Sequence, residues 1–246
     1  MGRTYKTEAV VLRSIRFGEA DRVLHVYTLD RGRVGAVAKG VRKTKSRFGA
    51  RLEPLSHVEL MLHQGSGELH TVTGVELLHS HHEAREDQYR LGVALAGAEA
   101  VLRLFTEQEG NPKAFAALLR FLEITDELGD RAPARPAVDP LALAFQLKLL
   151  WLSGYQPHLD ACADCGVEEG LVGYSAKEGG MVCGACANGT LPVAPASLAT
   201  MRALLRATLA EAAGFTLGER ETRETAAVIN ASHEYHGGFR LRTLSA

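Results

Sequence analysis

Apolar and polar positions alternate in short runs through the first part of the chain, and turn residues separate these runs. Five runs are rich in β-branched, aromatic and other apolar residues, at positions 5–14, 22–29, 33–39, 56–63 and 68–77. The connections at 30–32 and 64–67 contain glycine and have hairpin length. Partial period-two alternation is typical of strands that bury only one face. The pattern predicts a small closed β-barrel of the OB or SH3 type.

Beyond His82 the pattern changes to Ala- and Leu-rich segments with a period of 3.6 residues, at 89–106, 112–128, 140–152, 196–213 and 220–235. Asn111-Pro112 and Asp139-Pro140 are helix start signals, a capping residue followed by proline in the first turn. The predicted fold class is therefore α+β, with an N-terminal OB-type barrel at 1–80 and an all-helical domain at 81–246. A loop-rich insert at 157–192 interrupts the helical domain.

The insert contains all four cysteines of the chain, as two Cys-x-x-Cys pairs with seventeen residues between them: Cys162, Cys165, Cys183 and Cys186. This spacing indicates a four-thiolate zinc site, although two disulfides or unrelated thiols would fit the same residues. Four cysteine ligands leave no position for a reactive water, so the expected ion is structural, one Zn²⁺ per chain. The N-terminus has no apolar leader, and we therefore expect a reducing, cytoplasmic environment.

Charge is distributed unevenly along the chain, although the net charge is only -1. Residues 1–56 contain 13 Lys or Arg and 5 Asp or Glu, an excess of 13 − 5 = +8, and the remainder carries 15 − 24 = -9. Segregated positive charge of this kind favours a polyanionic partner, with nucleic acid as the first candidate. The longest apolar stretch, 91–105, contains Glu99 and Arg103 and is too short and too charged for a membrane span.

The most basic run, 39–51, lies between the third and fourth predicted strands and has no apparent apolar face. Neighbouring strands add further arginines, so a groove on the barrel could follow a phosphate backbone while Tyr27 or Phe48 stacks on bases. A solvated loop that protects a barrel edge is the competing interpretation. The candidate nucleic-acid-binding residues are Arg16, Arg22, Arg33, Lys39, Arg42, Lys43, Lys45, Arg47 and Arg51.

Other chemistry is poorly supported by the residues. The glycines at 35 and 40 resemble part of a phosphate-binding loop, but Val41 stands where that motif requires lysine. Histidines at 79, 81 and 82, and at 233 and 236, lack convincing spacing for a second metal. We therefore expect a protein that is not an enzyme and has no catalytic residues. A zinc-containing nucleic-acid-processing enzyme and an RNA-binding module remain the alternatives.

Several short motifs are similar to those of the RecO family of bacterial recombination mediators. They are a Lys-Thr-Glu-Ala-Val-Val-Leu opening at 6–12, Gly-Glu-Ala-Asp-Arg at 18–22, Leu29 with Gly32, and Ala-Lys-Gly-Val-Arg at 38–42. The barrel, the helical region and the cysteine pairs also follow the family's order, so the resemblance covers essentially the whole chain. One departure is the loop-like 40–55 segment, where an OB-fold often has a helix.

The resemblance implies a non-enzymatic protein of DNA repair and recombination. Members bind single-stranded and double-stranded DNA, anneal complementary strands and, with RecR, help RecA replace single-strand-binding protein. Such a protein acts in the cytoplasm, in association with the nucleoid. Carried to matching positions, DNA binding falls on Arg33, Lys39, Arg42, Lys43, Lys45 and Arg47, and the structural zinc on the four cysteines.

Overall fold

A computed structural model describes residues 3–105, 109–129 and 135–245. The chain divides into two compact units, Met1–Glu86 with Phe105–Asp126, and Asp87–Leu104 with Glu127–Ala246. Five strands in the first unit confirm the predicted series: β1 Arg3–Phe17, β2 Asp21–Thr28, β3 Gly32–Ala38, β4 His57–Gln64 and β5 His70–His79. The division into domains at 1–80 and 81–246 stays a prediction.

The five strands close into a barrel in the order β1-β2-β3-β5-β4, with β4 returning to pair with β1. All neighbouring strands are antiparallel except β3 and β5, which are parallel at Ala36 and His70. A register shift between Val11 and Arg13 lets the long β1 strand bend, so that it pairs with β4 along one part and with β2 along the other. The strand order is that of an OB-fold, as predicted.

The barrel interior is filled by inward-facing aliphatic side chains, and the segment between β3 and β4 contributes to it. Phe48 and Leu52 are buried in the same core as Leu24 and Leu60. A short 3₁₀ helix, Gly49–Leu52, places Leu52 in this core. The expectation that this segment has no apolar face is therefore wrong, because two of its side chains are buried in the barrel core.

One short helix and two long helices follow the barrel strands: α1 His82–Glu86, α2 Gln88–Leu104 and α3 Pro112–Asp126. Helix α3 groups with the barrel in the first unit. Its Phe115 packs against Tyr27 of β2, with ring centroids 6.3 Å apart, and Phe105 covers the same tyrosine at 5.5 Å. The asparagine start signal is confirmed, since Asn111 Oδ1 accepts a hydrogen bond from the Ala114 N–H.

The second unit is mainly helical, as predicted: α4 Pro140–Leu152, α5 Pro195–Arg206, α6 Leu209–Ala213, α7 Glu219–Gly237 and α8 Arg242–Ser245. A 3₁₀ turn, Pro136–Val138, precedes α4, and the Asp139 side chain caps α4 at the Leu141 N–H. The single helix predicted at 196–213 is two helices, because Thr208 and Glu211 form a capping box that starts α6. Thr106, the predicted end of α2, lies outside the described residues.

The cysteine-containing insert carries three short strands, β6 Leu171–Ser175, β7 Gly180–Cys183 and β8 Leu191–Pro192. They form a sheet in the order β7-β6-β8. Tyr174 of β6 is buried and shares a 2.6 Å hydrogen bond with Ser232 of α7, which ties the sheet to the helices of its own unit. Among the described residues, none of the helices has the length and apolar character needed to cross a bilayer.

Candidate nucleic-acid interface and metal centre

The outer face of β1, β2 and β3 is the candidate interface on the barrel. Directly paired residues of antiparallel strands point to the same side, so Ile15, Val23 and Val37 form one row across the three strands. Arg13 and His25 form the next row together with Gly35. This face is therefore mixed, with an apolar centre and cations along one side.

Two loops border this face. Phe17, the last residue of β1 before the β1–β2 turn, is 55% exposed, and Leu69 in the β4–β5 connection is 43% exposed. A Cβ built on Gly35 would lie 2.7 Å from Leu69 Cδ2, so Leu69 lies directly over the bare backbone of β3. OB-folds bind oligonucleotides on the face of strands 2 and 3 between the same two loops.

His25 lies between two arginines on the cationic side of this face. Burial lowers the pKa of this histidine, and the charges of Arg33 and Arg13 lower it further. Arg33 lies on β3 opposite Tyr27 and is half-buried. The lowered pKa favours the neutral form of His25, so the positive charge beside it is that of Arg13 and Arg33.

The basic 39–51 segment starts beside the β1–β2 turn. The Gly40 N–H donates to Asp21 Oδ1 at 2.7 Å, and Gly40 has a φ of 66°, which favours glycine. The Arg42 N–H donates to the Ala20 carbonyl, and its guanidinium donates to the Glu19 carbonyl at 2.9 Å. The backbone hydrogen bonds thus place the start of the basic segment next to the turn that follows Phe17.

Apart from the half-buried Arg33, and Arg42, whose guanidinium donates to the Glu19 carbonyl, the predicted cations fall into two groups. Arg22 is paired with Glu53 at 3.2 Å, and Arg51 donates to the carbonyls of Phe48, Arg47 and Val75, so their guanidinium groups have protein partners. The others are exposed and form no ion pair with a carboxylate of another described residue: Arg16, Lys39, Lys43, Lys45 and Arg47.

The two aromatic residues predicted to stack on bases are not accessible. Tyr27 and Phe48 are 0% and 1% exposed, and burial raises the pKa of Tyr27 to about 12. Tyr27 lies under Phe105 and Phe115, and Phe48 lies in the barrel core. The exposed aromatic residue of the interface is Phe17, which the sequence reasoning missed. The alternation of positions 13, 15 and 17 was the available signal.

The four cysteines form a compact cluster in the second unit. Each offers one sulfur, and all four sulfurs lie within 4.8 Å of one another. The Sγ atoms of Cys165 and Cys183 are 3.7 Å apart, far longer than the 2.05 Å of a disulfide, and all four cysteines are free. A tetrahedral ion with Zn–S bonds of about 2.3 Å would separate its sulfurs by about 3.8 Å. The cluster therefore has dimensions that suit zinc.

The turns around the cysteines shift the pKa values of the individual thiols in different directions. The Cys183 N–H donates to Cys162 Sγ at 3.4 Å, and hydrogen bonds from the backbones of Cys165 and Cys183 lower the pKa of Cys162 to about 6. A hydrogen bond with the Asp164 side chain raises the pKa of Cys186. Gly166, with a φ of 81°, closes the first turn by donating to the Cys162 carbonyl.

Comparisons with known proteins match two family models to consecutive parts of the chain. The family model described as recombination protein O N terminal matches residues 1–81, and the one described as recombination protein O C terminal matches residues 85–245. The chain is similar to the DNA repair protein RecO of Rubrobacter xylanophilus, at 40% identity over 85% of this chain and 84% of that protein. It is 38% identical to that of Thermobifida fusca (98% and 96%) and 37% to that of Anaeromyxobacter dehalogenans strain 2CP-C (96% and 92%).

Proposed function

This chain belongs to the RecO family of DNA repair proteins, and from that membership and the barrel's surface we propose that it binds single-stranded and double-stranded DNA and anneals complementary strands. The observation that carries the proposal is the group of exposed cations without carboxylate partners beside the outer face of β1–β3. A DNA backbone lying along this group would release counterions for each phosphate that is neutralised.

The interface offers both kinds of contact that a single strand needs. Lys39, Lys43, Lys45 and Arg47 supply charge, and Phe17 supplies an exposed ring at the adjacent loop. Stacking on an aromatic ring tolerates any base, and phosphate contacts carry no sequence information. Binding is therefore expected to depend strongly on salt and only weakly on sequence.

Annealing follows from the same charges and needs no fuel. Two complementary strands repel each other through their phosphates, and a basic surface that neutralises both allows base pairing to supply the driving free energy. The proposed activity is therefore not enzymatic. The cysteine cluster agrees with this, because four thiolates complete a zinc coordination shell and leave no site for an activated water.

We also propose that the cysteine cluster holds one structural Zn²⁺ per chain. Cys162 and Cys165 approach the ion from one turn, and Cys183 and Cys186 from the other. Cys162 and Cys183 are also part of the buried apolar core that includes Met181. An ion here would fix the β6–β8 sheet against the helices of its unit.

The family membership further supports a mediator role. In this proposal the chain acts in the cytoplasm at the nucleoid, together with RecR, where it helps RecA replace single-strand-binding protein on DNA. The assay is the rate of RecA filament formation on strands coated with single-strand-binding protein, with and without this chain and RecR. No acceleration would contradict the mediator role while leaving DNA binding untouched.

The DNA-binding proposal is tested by replacing Lys39, Lys43, Lys45 and Arg47 together with glutamine, which removes four charges and keeps most of each side-chain stem. Each phosphate contact on single strands contributes about 0.7 to the slope of log K against log salt, so the slope should flatten by about 3. The matched control is Lys6→Gln, since Lys6 is exposed but paired with Glu59 on another part of the barrel.

An unchanged slope in the fourfold variant would refute the interface. Phe17→Ala is a second variant of the same experiment and should weaken single-strand binding about tenfold without changing the slope, because stacking contributes about 1–3 kcal/mol per base. RNA of the same sequence serves as competitor, and equal or better competition would favour the RNA-binding alternative. Turnover of labelled DNA with magnesium or zinc would favour the enzyme alternative.

A further inference from the structure

Two histidines and an aspartate converge in the first unit, where β5 ends and α1 begins. His79 is the last residue of β5, His81 lies in the link to α1, and Asp126 is the last residue of α3. The nitrogen and oxygen atoms that these residues offer all lie within 4.8 Å of one another. Asp126 follows His81 by 45 positions, so only the packing of α3 beside the barrel brings the three side chains together.

The carboxylate of Asp126 is the centre of the cluster. Its Oδ2 lies 2.6 Å from His81 Nδ1 and 3.8 Å from His79 Nδ1. Its Oδ1 accepts a 2.9 Å hydrogen bond from the Ala84 N–H in α1, which fixes the orientation of the carboxylate. A hydrogen-bonded carboxylate of this kind is typical of metal ligands, whose outer partners hold them in place.

His81 has an unfavourable environment and an unfavourable backbone conformation in this cluster. Its side chain is 1% exposed, and within the described residues its Nε2 has no hydrogen-bond partner. Its φ is 46°, and only Leu55 and His81 among the described non-glycine residues have a positive φ. Buried unpaired polar atoms and left-handed backbone are both unfavourable, and such features concentrate at binding sites.

We infer that His79, His81 and Asp126 form a binding site for a divalent first-row transition metal such as Zn²⁺, separate from the cysteine cluster. Imidazole nitrogen and carboxylate oxygen are the ligands these ions take, at bonds of about 2.0–2.2 Å. In a tetrahedron such bonds place the ligand atoms about 3.4 Å apart. The observed separations of 2.6 and 3.8 Å bracket this value, so small side-chain shifts suffice.

Metal binding at this site competes with two hydrogen bonds. The ion would replace the 2.6 Å hydrogen bond between His81 Nδ1 and Asp126 Oδ2. His79 Nδ1 accepts the His81 backbone N–H at 3.1 Å, and it would exchange this bond for the ion. His79 is 55% exposed, so the site opens to solvent and leaves room for water as a further ligand. The bound ion would join the end of β5 to the end of α3. This site adds a second metal to the single zinc predicted from the sequence.

The test uses the full chain with one equivalent of zinc already bound, to which Co²⁺ is added. One further equivalent should bind and give cobalt absorption without the sulfur-to-metal charge transfer that thiolate ligands produce. His79→Gln should weaken this binding at least tenfold. The matched control is His82→Gln, which removes an exposed histidine that lies 3.8 Å from Glu86 and outside the cluster, and should leave affinity within about twofold.

A second measurement, the change in Tm on adding Co²⁺, distinguishes loss of the metal site from poor folding of a variant. Excess Co²⁺ should raise the Tm of the unaltered chain and of His82→Gln, because a ligand that binds only the folded state stabilises it. It should not raise the Tm of His79→Gln or Asp126→Asn. No second equivalent on the unaltered chain, or equal binding by His79→Gln, would overturn the inference and leave the cluster as a hydrogen-bonded contact alone.

Discussion

The contact between Phe115 and the barrel provides a direct test of how the first unit is stabilised. Phe115 is 2% exposed, and its ring lies 6.3 Å from Tyr27 and 6.0 Å, edge-on, from His57. These two partners lie on β2 and β4, strands that are not neighbours in the barrel. Phe115→Ala therefore removes a side chain that connects α3 to both strands.

The expected loss of stability in Phe115→Ala is large because the surrounding side chains cannot easily fill the cavity that the missing ring leaves. Truncation of a buried phenylalanine to alanine costs about 3–5 kcal/mol, and each lost aromatic contact accounts for about 0.5–1.5 kcal/mol. Tyr27 keeps its contact with Phe105 at 5.5 Å, which limits the collapse of the cavity but does not fill it. We expect the free energy of unfolding of this unit to fall by about 4 kcal/mol, a factor of about a thousand in the opening constant.

Native-state hydrogen exchange on peptides from β2 and β4 measures this quantity in the intact chain. Arg120→Ala is the control on the same helix, since Arg120 is 52% exposed and pairs only at the surface with Glu123, and it should cost less than about 0.5 kcal/mol. A loss below about 1 kcal/mol for Phe115→Ala would refute the view that α3 holds the barrel strands together.

Two further predictions concern the second unit. Elemental analysis should find at least one zinc per chain, and Cys183→Ser or a strong chelator should lower the unfolding temperature of this unit while DNA binding is retained in part. A metal-free chain of unchanged Tm would contradict the structural zinc. Burial lowers the pKa of His233 to about 4 from 6.5, so between these values only the unfolded chain takes up the proton. The free energy of unfolding should therefore fall as pH drops from 6.5 to 4, with about 3 kcal/mol due to this group. The free energy of unfolding, measured by urea titration at several pH values, should depend less on pH across that window in His233→Leu. An unaltered pH dependence would show that His233 is not the group responsible.

The parts of the fold that were predicted correctly are those with a local pattern. Alternating apolar positions determine which residues of a strand face the core, so the five strands could be located without knowledge of their partners. The Cys-x-x-Cys pairs determine how close two thiols can come within one turn, and the fold brings both turns together. The excess of cations in 1–56 is likewise a property of composition.

The errors concern residues whose environment is set by distant parts of the chain. Tyr27 has the alternation of an outward-facing strand residue, but Phe105 and Phe115 from beyond the barrel strands cover it. Phe48 lies in a cationic segment, yet it is buried in the barrel core with side chains from distant strands. Local periodicity carries no information about such partners.

The sequence by itself determined the strand and helix periods, the matched cysteine pairs and the sign of the charge at the N-terminal end, because each depends on neighbouring residues. Only the tertiary structure decided which cations remain without a carboxylate, which aromatic ring stays exposed, and that Asp126 meets His79 and His81. These are contacts between residues far apart in the chain, and they exist only after closure of the barrel and packing of the helices have fixed each neighbour.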